Sequence, residues 1–166
     1  RIIVMPVIGA NAIDTFLLDR QAFAKRRDEL GRCFSNRPHV VQQFVSNVQT
    51  DGEYSLFYFN ADYSHALRKL PAAGDFRVQE EYGASLAAIE PERALAAVGE
   101  RAVALVQPVP VYARLDFVRD TDGRFLLMEL ELIEPSLYLR MDDAAPQNFA
   151  AAFDAAVAAR QNRETA

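Results

Sequence analysis

Cysteine is nearly absent from this chain, since Cys33 is the only one among 166 residues. A single thiol cannot close an internal disulfide, so we expect a reducing compartment, namely the cytoplasm. No apolar run approaches the roughly 20 residues of a membrane-spanning helix, so no membrane partner is expected. The chain opens with Arg1 and passes directly into the apolar run Ile2-Ile3-Val4, without the pattern of a signal peptide.

Lysine is also scarce. Lys25 and Lys69 are the only two lysines, although lysine and arginine together number 18. The basic residues are dispersed and the net charge is −5, which argues against nucleic acid as the main partner, because a phosphate-binding surface usually needs a basic stripe. Hydrophobic residues make up 51% of the chain, enough for the core of one domain.

The pattern of apolar and turn residues predicts strands interspersed with helices. Asn60-Ala61 is expected to join two strands in a hairpin, and residues 71–85 are expected to form a long ordered loop. Because hairpins make a sheet antiparallel, the predicted fold class is α+β, with mostly antiparallel sheets and flanking helices. The remaining predicted elements are a strand, loop and strand over 1–18, strands at 39–48, 53–59, 62–70, 111–119 and 124–133, and helices at 19–34, 91–106 and 147–160.

Two glutamates of one predicted strand, Glu129 and Glu131, carry the strongest chemical signal. Alternate side chains of a strand share a face, so both glutamates point the same way. If residues 120–123 form the turn of a hairpin, the register places Arg114 across from Glu129 and Asp116 diagonally from it on the same face.

Three carboxylates on one face would repel one another and raise each other's pKa. A divalent cation would relieve this repulsion, and oxygen-only ligands favour Mg²⁺ or Mn²⁺ over Zn²⁺. The alternative is a solvated strand face, which spacing alone leaves about equally open. The position of Asp116 on the same face favours the metal site.

A second, weaker signal is basic. Lys69 ends a predicted strand, and Arg77 follows eight residues later in the loop that contains Gly74. An arginine fork and a lysine point charge could hold phosphate oxygens, although on these residues alone ordinary surface charge is the favoured interpretation of this pair. His65 shares the strand face of Lys69, and we interpret it as a packed, half-buried histidine rather than a catalytic base.

Four separated groups of residues together resemble the C-terminal part of the ATP-grasp fold, as in prokaryotic glutathione synthetase and related carboxylate–amine ligases. The match covers about residues 2 to 153, and the order and separation of the segments carry it. It implies that about 1–45 form the end of a nucleotide-binding N-terminal subdomain and about 46–160 a C-terminal subdomain with the metal site. The segments are 4–12, 41–45 with 52–55, 65–77, and 114–117 with 129–135.

The resemblance implies an ATP- and Mg²⁺-dependent (or Mn²⁺-dependent) ligase that joins a small carboxylate to a small amine through an acyl phosphate. The implied metal ligands are Asp116, Glu129 and Glu131, and the implied catalytic residues are Lys69 and Arg77, which would bind the transferring phosphate. The implied nucleotide contacts are Gly9, Ala10 and Asn11 at the phosphates, Gln43, Phe44 and Val45 at the adenine, and Glu53 at the ribose.

The sequence departs from the family pattern at two positions. Met5 stands where the family has a phosphate-contacting lysine, and Glu131 stands where the family usually has asparagine, which keeps an oxygen ligand. A thioether cannot donate to phosphate, and a charge-assisted contact is worth about 1.5–3 kcal/mol. A non-catalytic relative that binds nucleotide or a partner is therefore the alternative hypothesis, and a purely structural domain is a weaker one.

The family carries a preceding domain that nothing in this chain matches. We therefore expect a segment before Arg1 and expect this chain alone to be inactive. The resemblance makes a homodimer one arrangement to consider. The substrates stay open among glutathione-like peptides, ligated amino acids and antibiotic precursors.

Overall fold

The first structural unit is a small three-stranded sheet covered by two short helices. In the computed structural model, which describes residues 1–164, this unit comprises Arg1–Ser46. The antiparallel strand order is β2-β1-β3, and the apolar core of the unit is Val4, Phe16, Leu18, Leu30 and Phe34. The elements are β1 (Ile2–Pro6), β2 (Phe16–Leu18), α1 (Arg20–Lys25), α2 (Arg27–Phe34) and β3 (His39–Gln43).

The helical stretch predicted over 19–34 is divided in the structure. Asp19 caps α1, because its Oδ1 accepts a hydrogen bond from the Ala22 amide at 2.7 Å. Arg26 then has non-helical ψ (8°) and ends α1 before α2 begins. The prediction of one helix was therefore wrong at this residue.

The second unit begins at Asn47 and is built on a five-stranded sheet. Its strand order is β6-β5-β4-β7-β8, and every pair is antiparallel, which confirms the predicted α+β class. Its elements are β4 (Glu53–Phe59), β5 (Asp62–Leu70), β6 (Ser85–Ala88), α3 (Arg93–Val103), β7 (Tyr112–Arg119), β8 (Phe125–Glu131) and α4 (Ala145–Glu164), with short 3₁₀ helices at Glu80–Tyr82 and Leu139–Met141.

The sheet has one apolar face, which packs against α3. Glycine at position 99 of α3 allows this approach, because a Cβ there would collide with the Tyr58 hydroxyl and the Leu56 side chain. Alternation along each strand then sends the polar residues to the other face. The buried core on the α3 side is Leu56, Tyr58, Ala66, Leu95, Val103, Ala113, Leu115 and Phe117.

The hairpin between β4 and β5 turns at Asn60 and Ala61, as predicted. Both residues have left-handed φ, 51° and 67°, as a two-residue type I′ turn requires. The predicted loop 71–85 was too long, because Ser85 already belongs to β6, which pairs with β5. The last two predicted helices are shifted slightly, since α3 begins at Arg93 rather than Pro91, and α4 begins at Ala145 rather than Gln147.

Across the described part of the chain, none of the helices combines the length and the apolar character needed to cross a bilayer.

Candidate metal centre

The register of β7 and β8 decides which side chains reach the polar face. Asp116 pairs with Glu129 and Arg114 pairs with Glu131, so the predicted pairing of Arg114 with Glu129 was wrong by two residues. The register shifts between Asp116 and Phe117, because Phe117 pairs with Leu127 and leaves Met128 as an extra residue. If Met128 instead paired with Asp116 in a regular ladder, period-2 alternation would turn both glutamates to the α3 side.

The three predicted metal ligands converge in the structure. Asp116, Glu129 and Glu131 each offer one carboxylate oxygen, and these oxygens lie within 4.8 Å of one another. Their environments differ, since the Asp116 side chain is fully buried, that of Glu131 is 33% exposed and that of Glu129 is 60% exposed. The cluster therefore has one fixed, buried member and two that solvent reaches.

Two buried cations lie against these acids. Lys69 Nζ is 2.9 Å from Glu53 Oε1 and 3.3 Å from Asp116 Oδ1. Arg114 Nε donates to Asp116 Oδ2 at 2.9 Å, and its Nη2 donates to Glu131 Oε1. Lys69 stands directly across from Glu53 in the β4–β5 pair, so strand register brings this pair together.

Asp116 has a further partner that the sequence pattern did not single out. The Ser55 hydroxyl is fully buried and donates to Asp116 Oδ1 from the neighbouring strand. Ser55 is a polar residue inside an otherwise apolar run of β4, two residues after Glu53. That period-2 spacing was the available signal.

The electrostatics of the cluster are strongly coupled. Partial burial raises the pKa of Glu129 to about 7, and its hydrogen bond with Glu131 and the nearby charges of Asp116 and Glu53 act in the same direction. Solvent reaches more than half of the Glu129 side chain and moderates this shift. Burial lowers the pKa of Lys69, but the charges of Glu53 and Asp116 outweigh it, so that the pKa is raised and the ammonium stays charged.

The donor set suits a hard divalent cation. With all four carboxylates ionised (Glu53, Asp116, Glu129 and Glu131), their charge against Lys69 and Arg114 would be −2, which one Mg²⁺ or Mn²⁺ would neutralise. Every anionic donor is an oxygen, as these cations prefer. The residues present therefore fit the ion that the sequence analysis implied.

Arg77 is engaged elsewhere on the 71–84 loop. Its Nη2 is 2.7 Å from Asp75 Oδ2, and its guanidinium lies 3.7 Å from the centre of the Tyr82 ring. The Arg77 hydrogen bond, with backbone amides, lowers the pKa of Asp75 to about 2. Lys69 and Arg77, predicted as one phosphate-binding pair, thus have different partners. To bind phosphate, Arg77 would have to give up its ion pair with Asp75.

The predicted phosphate loop lies in the first unit and follows β1. Arg37 holds the loop, because its Nη1 donates to Asp14 Oδ2 at 2.6 Å and its Nη2 to the Ile8 carbonyl at 3.4 Å. Asn11 has a left-handed φ of 53° within the Gly9-Ala10-Asn11 stretch. The loop backbone is therefore tightly turned, while Ile8 is 87% exposed.

The residues predicted at the adenine also belong to the first unit. Gln43 ends β3 and pairs with Ile2, and the Phe44 amide donates to the Arg1 carbonyl at 3.2 Å. Val45 follows Phe44 immediately. Their nucleotide role, like that of Glu53 at the ribose, stays a prediction.

The chain was compared with protein-family models, curated proteins and solved structures. No family model matches. The chain is 32% identical over 159 residues to the cycloserine biosynthesis protein DcsG of Streptomyces lavendulae, covering 90% of this chain and 53% of the relative. The chain thus spans about half the length of this curated relative.

The solved structures give a consistent result. The crystal structure of D-cycloserine synthetase DcsG superimposes with a TM-score of 0.77 at 30% identity, over 92% of this chain and 54% of that one. The D-alanine–D-alanine ligase of Bacillus anthracis complexed with ATP superimposes with a TM-score of 0.65 at 19% identity, over 99% of this chain and 54% of that one. The ATP-grasp ligase PsnB complexed with a precursor, Mg and ADP superimposes with a TM-score of 0.60 at 20% identity, over 91% of this chain and 46% of that one.

Proposed function

Because this chain belongs to the ATP-grasp superfamily, we propose that it carries the metal- and phosphate-binding part of an ATP-dependent ligase that joins a carboxylate to an amine. The observation that carries this proposal is the convergence of Asp116, Glu129 and Glu131 beside two buried cations on one sheet face. The carboxylates could bind a divalent cation, and that cation together with the positively charged side chains could bind a polyphosphate.

In the proposed reaction a substrate carboxylate oxygen attacks the γ-phosphorus of ATP, and the bond to ADP breaks. The resulting acyl phosphate is captured by an amine, which forms the amide and releases phosphate. Such transfers depend on positioning and charge neutralisation more than on a proton shuttle. This agrees with a polar face built from acids, a lysine and an arginine.

The residues of the cluster have distinct proposed roles. Mg²⁺ held by Asp116, Glu129 and Glu131 would supply charge neutralisation for the phosphate oxygens. Lys69, which stays charged beside these acids, is proposed to bind a phosphate oxygen as a point charge. Arg114 bridges Asp116 and Glu131 and so limits repulsion between them before a cation arrives.

The remaining predicted assignments are part of the same proposal. The first unit would be the end of the nucleotide-binding subdomain, with Gly9, Ala10 and Asn11 at the phosphates. The adenine contacts would be Gln43, Phe44 and Val45, with Glu53 at the ribose and Arg77 at the phosphate. Similarity to a cycloserine biosynthesis protein favours small-molecule substrates.

The decisive experiment measures cation binding directly. Mn²⁺ titration of this chain, followed by electron paramagnetic resonance, should show binding that E129Q weakens at least about a hundredfold, since even outer-shell changes cost ten- to hundredfold. E131N introduces the asparagine that the family usually has at this position, so it should retain binding within a few fold although one negative charge is lost. D62N, an exposed carboxylate on the same sheet, is the matched control and should leave the affinity unchanged. Equal Mn²⁺ affinity in the native chain and E129Q would refute the metal site.

Met5 favours a second candidate function, a relative that binds nucleotide or a partner without turnover. Its thioether lies on β1 opposite Val40 and can donate no hydrogen bond to phosphate. M5K in the complete protein should tighten ATP binding if only the lysine is missing. Unchanged ATP affinity in M5K would count against a site disabled by this one residue.

A further inference from the structure

A buried histidine outside the acid cluster has an unusually complete set of partners. His65 on β5 is 4% exposed, and its ring stacks on Phe57 at 4.3 Å between centroids and 5° between planes. Its Nε2 lies 3.0 Å from the Leu137 carbonyl oxygen, and its Nδ1 lies 3.0 Å from Ser64 Oγ. Both ring nitrogens are therefore in use.

The chemistry of these partners fixes where the ring proton is. A carbonyl oxygen only accepts, so Nε2 must carry hydrogen. Burial lowers the pKa of His65, although the Leu137 carbonyl and the charge of Asp142 oppose this, so the ring is neutral and Nδ1 accepts from the Ser64 hydroxyl. Ser64 Oγ in turn accepts from Asn148 Nδ2 at 3.4 Å.

A directed chain of hydrogen bonds results. It runs from Asn148 on α4, through Ser64 and His65 on β5, to the backbone carbonyl of Leu137. Each group donates a hydrogen bond to the next, so this series of hydrogen bonds fixes one tautomer of the imidazole and one orientation of the Leu137 peptide group. The residue that benefits most is Leu137, which lies in the stretch that follows β8.

That stretch, residues 134–138, touches both cations of the cluster. Arg114 Nη1 donates to the Ser136 carbonyl at 3.3 Å, and the Tyr138 ring centre lies 5.8 Å from Lys69 Nζ. Glu134 and Tyr138 both have left-handed φ of 47°, a conformation that non-glycine residues keep only when their surroundings impose it. The His65 contact lies between the residues that reach the two cations.

We propose that His65 is a positioning residue that holds the 134–138 segment against Arg114 and Lys69 through its Nε2–H bond to the Leu137 carbonyl. Packing alone does not account for the residue, because a phenylalanine could stack on Phe57 with no polar atom to bury. The imidazole adds the donor that a strained backbone segment requires. In its catalytic consequence the proposal rests on the ligase function given above.

The first test reads the tautomer and needs no activity. The chain has only two histidines, His65 and His39, so long-range ¹H–¹⁵N spectra contain two ring systems, and H39Q assigns them. At about pH 7.5 His65 should show a protonated Nε2 and an unprotonated Nδ1. In S64A the Leu137 carbonyl still accepts from the ring, so Nε2 should stay protonated. A protonated Nδ1 in the native chain, or an unprotonated Nε2 in S64A, would overturn the proposal.

The second test separates positioning from packing in the complete protein. H65F keeps the ring stack without the donor, and H65Q keeps an amide N–H near the Nε2 position. Misplacement of a site segment by about 1 Å can cost roughly a hundredfold, so kcat should fall ten- to hundredfold in H65F, with KM for ATP unchanged. H65Q should recover most of the loss.

The kinetic outcomes are distinguishable from failure of the proposed function. Equal kcat in H65F and the native protein, or equal losses in H65F and H65Q with matched thermal stability, would reject a positioning role. If H65F does not fold, H65L, which also lacks the donor, is assayed in its place and should lower kcat without changing KM for ATP, and native kcat in H65L would reject the role. Absence of ATP-dependent turnover in the native protein would refute the ligase assignment, while the tautomer result would stand.

Discussion

Among the acids of the cluster, Glu129 combines access to solvent with a perturbed titration. Its side chain is 60% exposed, yet its carboxyl faces Asp116 and Glu131, and its pKa is raised to about 7. At neutral pH this group is therefore close to half protonated in the absence of a cation. A proton and a metal ion compete for the same oxygen atoms.

The pH dependence of cation binding follows from this competition. Because its pKa is raised, Glu129 stays protonated up to higher pH than an ordinary glutamate. Mn²⁺ affinity should therefore rise with pH through about 7, as this proton is lost. Between about pH 6 and pH 8 the unprotonated fraction changes by roughly tenfold, and the dissociation constant should change by about the same factor. In E129Q affinity is lower and this slope should disappear. A slope that persists unchanged in E129Q would assign the titration to another group.

The β8 bulge is the element-level feature that keeps the acids of β8 on the polar face. One additional residue, Met128, lies between the pairs Phe117–Leu127 and Asp116–Glu129. Because side chains alternate with period 2, whether this residue bulges or pairs with β7 sets the face of everything after it in β8. The residue itself is 37% exposed and contributes little core packing.

Deleting Met128 should therefore remove the bulge but keep the metal site. In the deletion variant Glu129 follows Leu127 directly, and regular alternation still places Glu129 across from Asp116 and Glu131 across from Arg114, so Mn²⁺ affinity should stay within about tenfold of the native value. M128A keeps the residue count and the bulge and is the matched control, with affinity expected within about twofold of the native value. Loss of Mn²⁺ binding in a folded deletion variant would show that the bent backbone of the bulge, and not the strand face alone, positions the glutamates.

The β4–β5 turn offers a stability prediction at the same scale. Ala61 has φ of 67°, where a Cβ costs about 1 kcal/mol and glycine has no such penalty. A61G should therefore raise the free energy of unfolding by up to about 1 kcal/mol. Ala87 is exposed in β6 with ordinary strand geometry, and A87G should lower the free energy of unfolding by about 0.5–1 kcal/mol. Denaturant unfolding of A61G, A87G and the native chain measures both changes, and destabilisation by A61G would contradict the turn assignment.

Local patterns predicted some elements well and others poorly, for identifiable reasons. The Asn60-Ala61 turn and the shared face of Glu129 and Glu131 follow from turn chemistry and alternation, which are local. The register of β8 does not follow from local patterns, because the bulge at Met128 depends on pairing with β7. Strand β6 was missed because four residues beside a long loop carry too little periodicity, and their strand form depends on pairing with β5.

At the scale of the whole molecule, the candidate site is assembled from residues far apart in sequence. Glu53 and Glu131 stand at the two ends of a span that includes β4, β5, β7 and β8. The sequence indicated which residue types belong together, but the ion pair of Lys69 with Glu53 and the bond of Ser55 to Asp116 come from neighbouring strands. All of these residues belong to the second unit.

This assembly predicts that a cation stabilises the second unit as a whole. A ligand that binds only the folded state adds about 2.7 kcal/mol at a concentration of 100 times its dissociation constant. Saturating Mg²⁺ should therefore slow hydrogen exchange of the β4, β7 and β8 amides that open only by unfolding. The stabilisation should be small in E129Q and complete in D62N, since Asp62 lies outside the acid cluster. Equal Mg²⁺ protection in E129Q and the native chain would show that the cation binds elsewhere, and the acids of β7 and β8 would then be a solvated strand face.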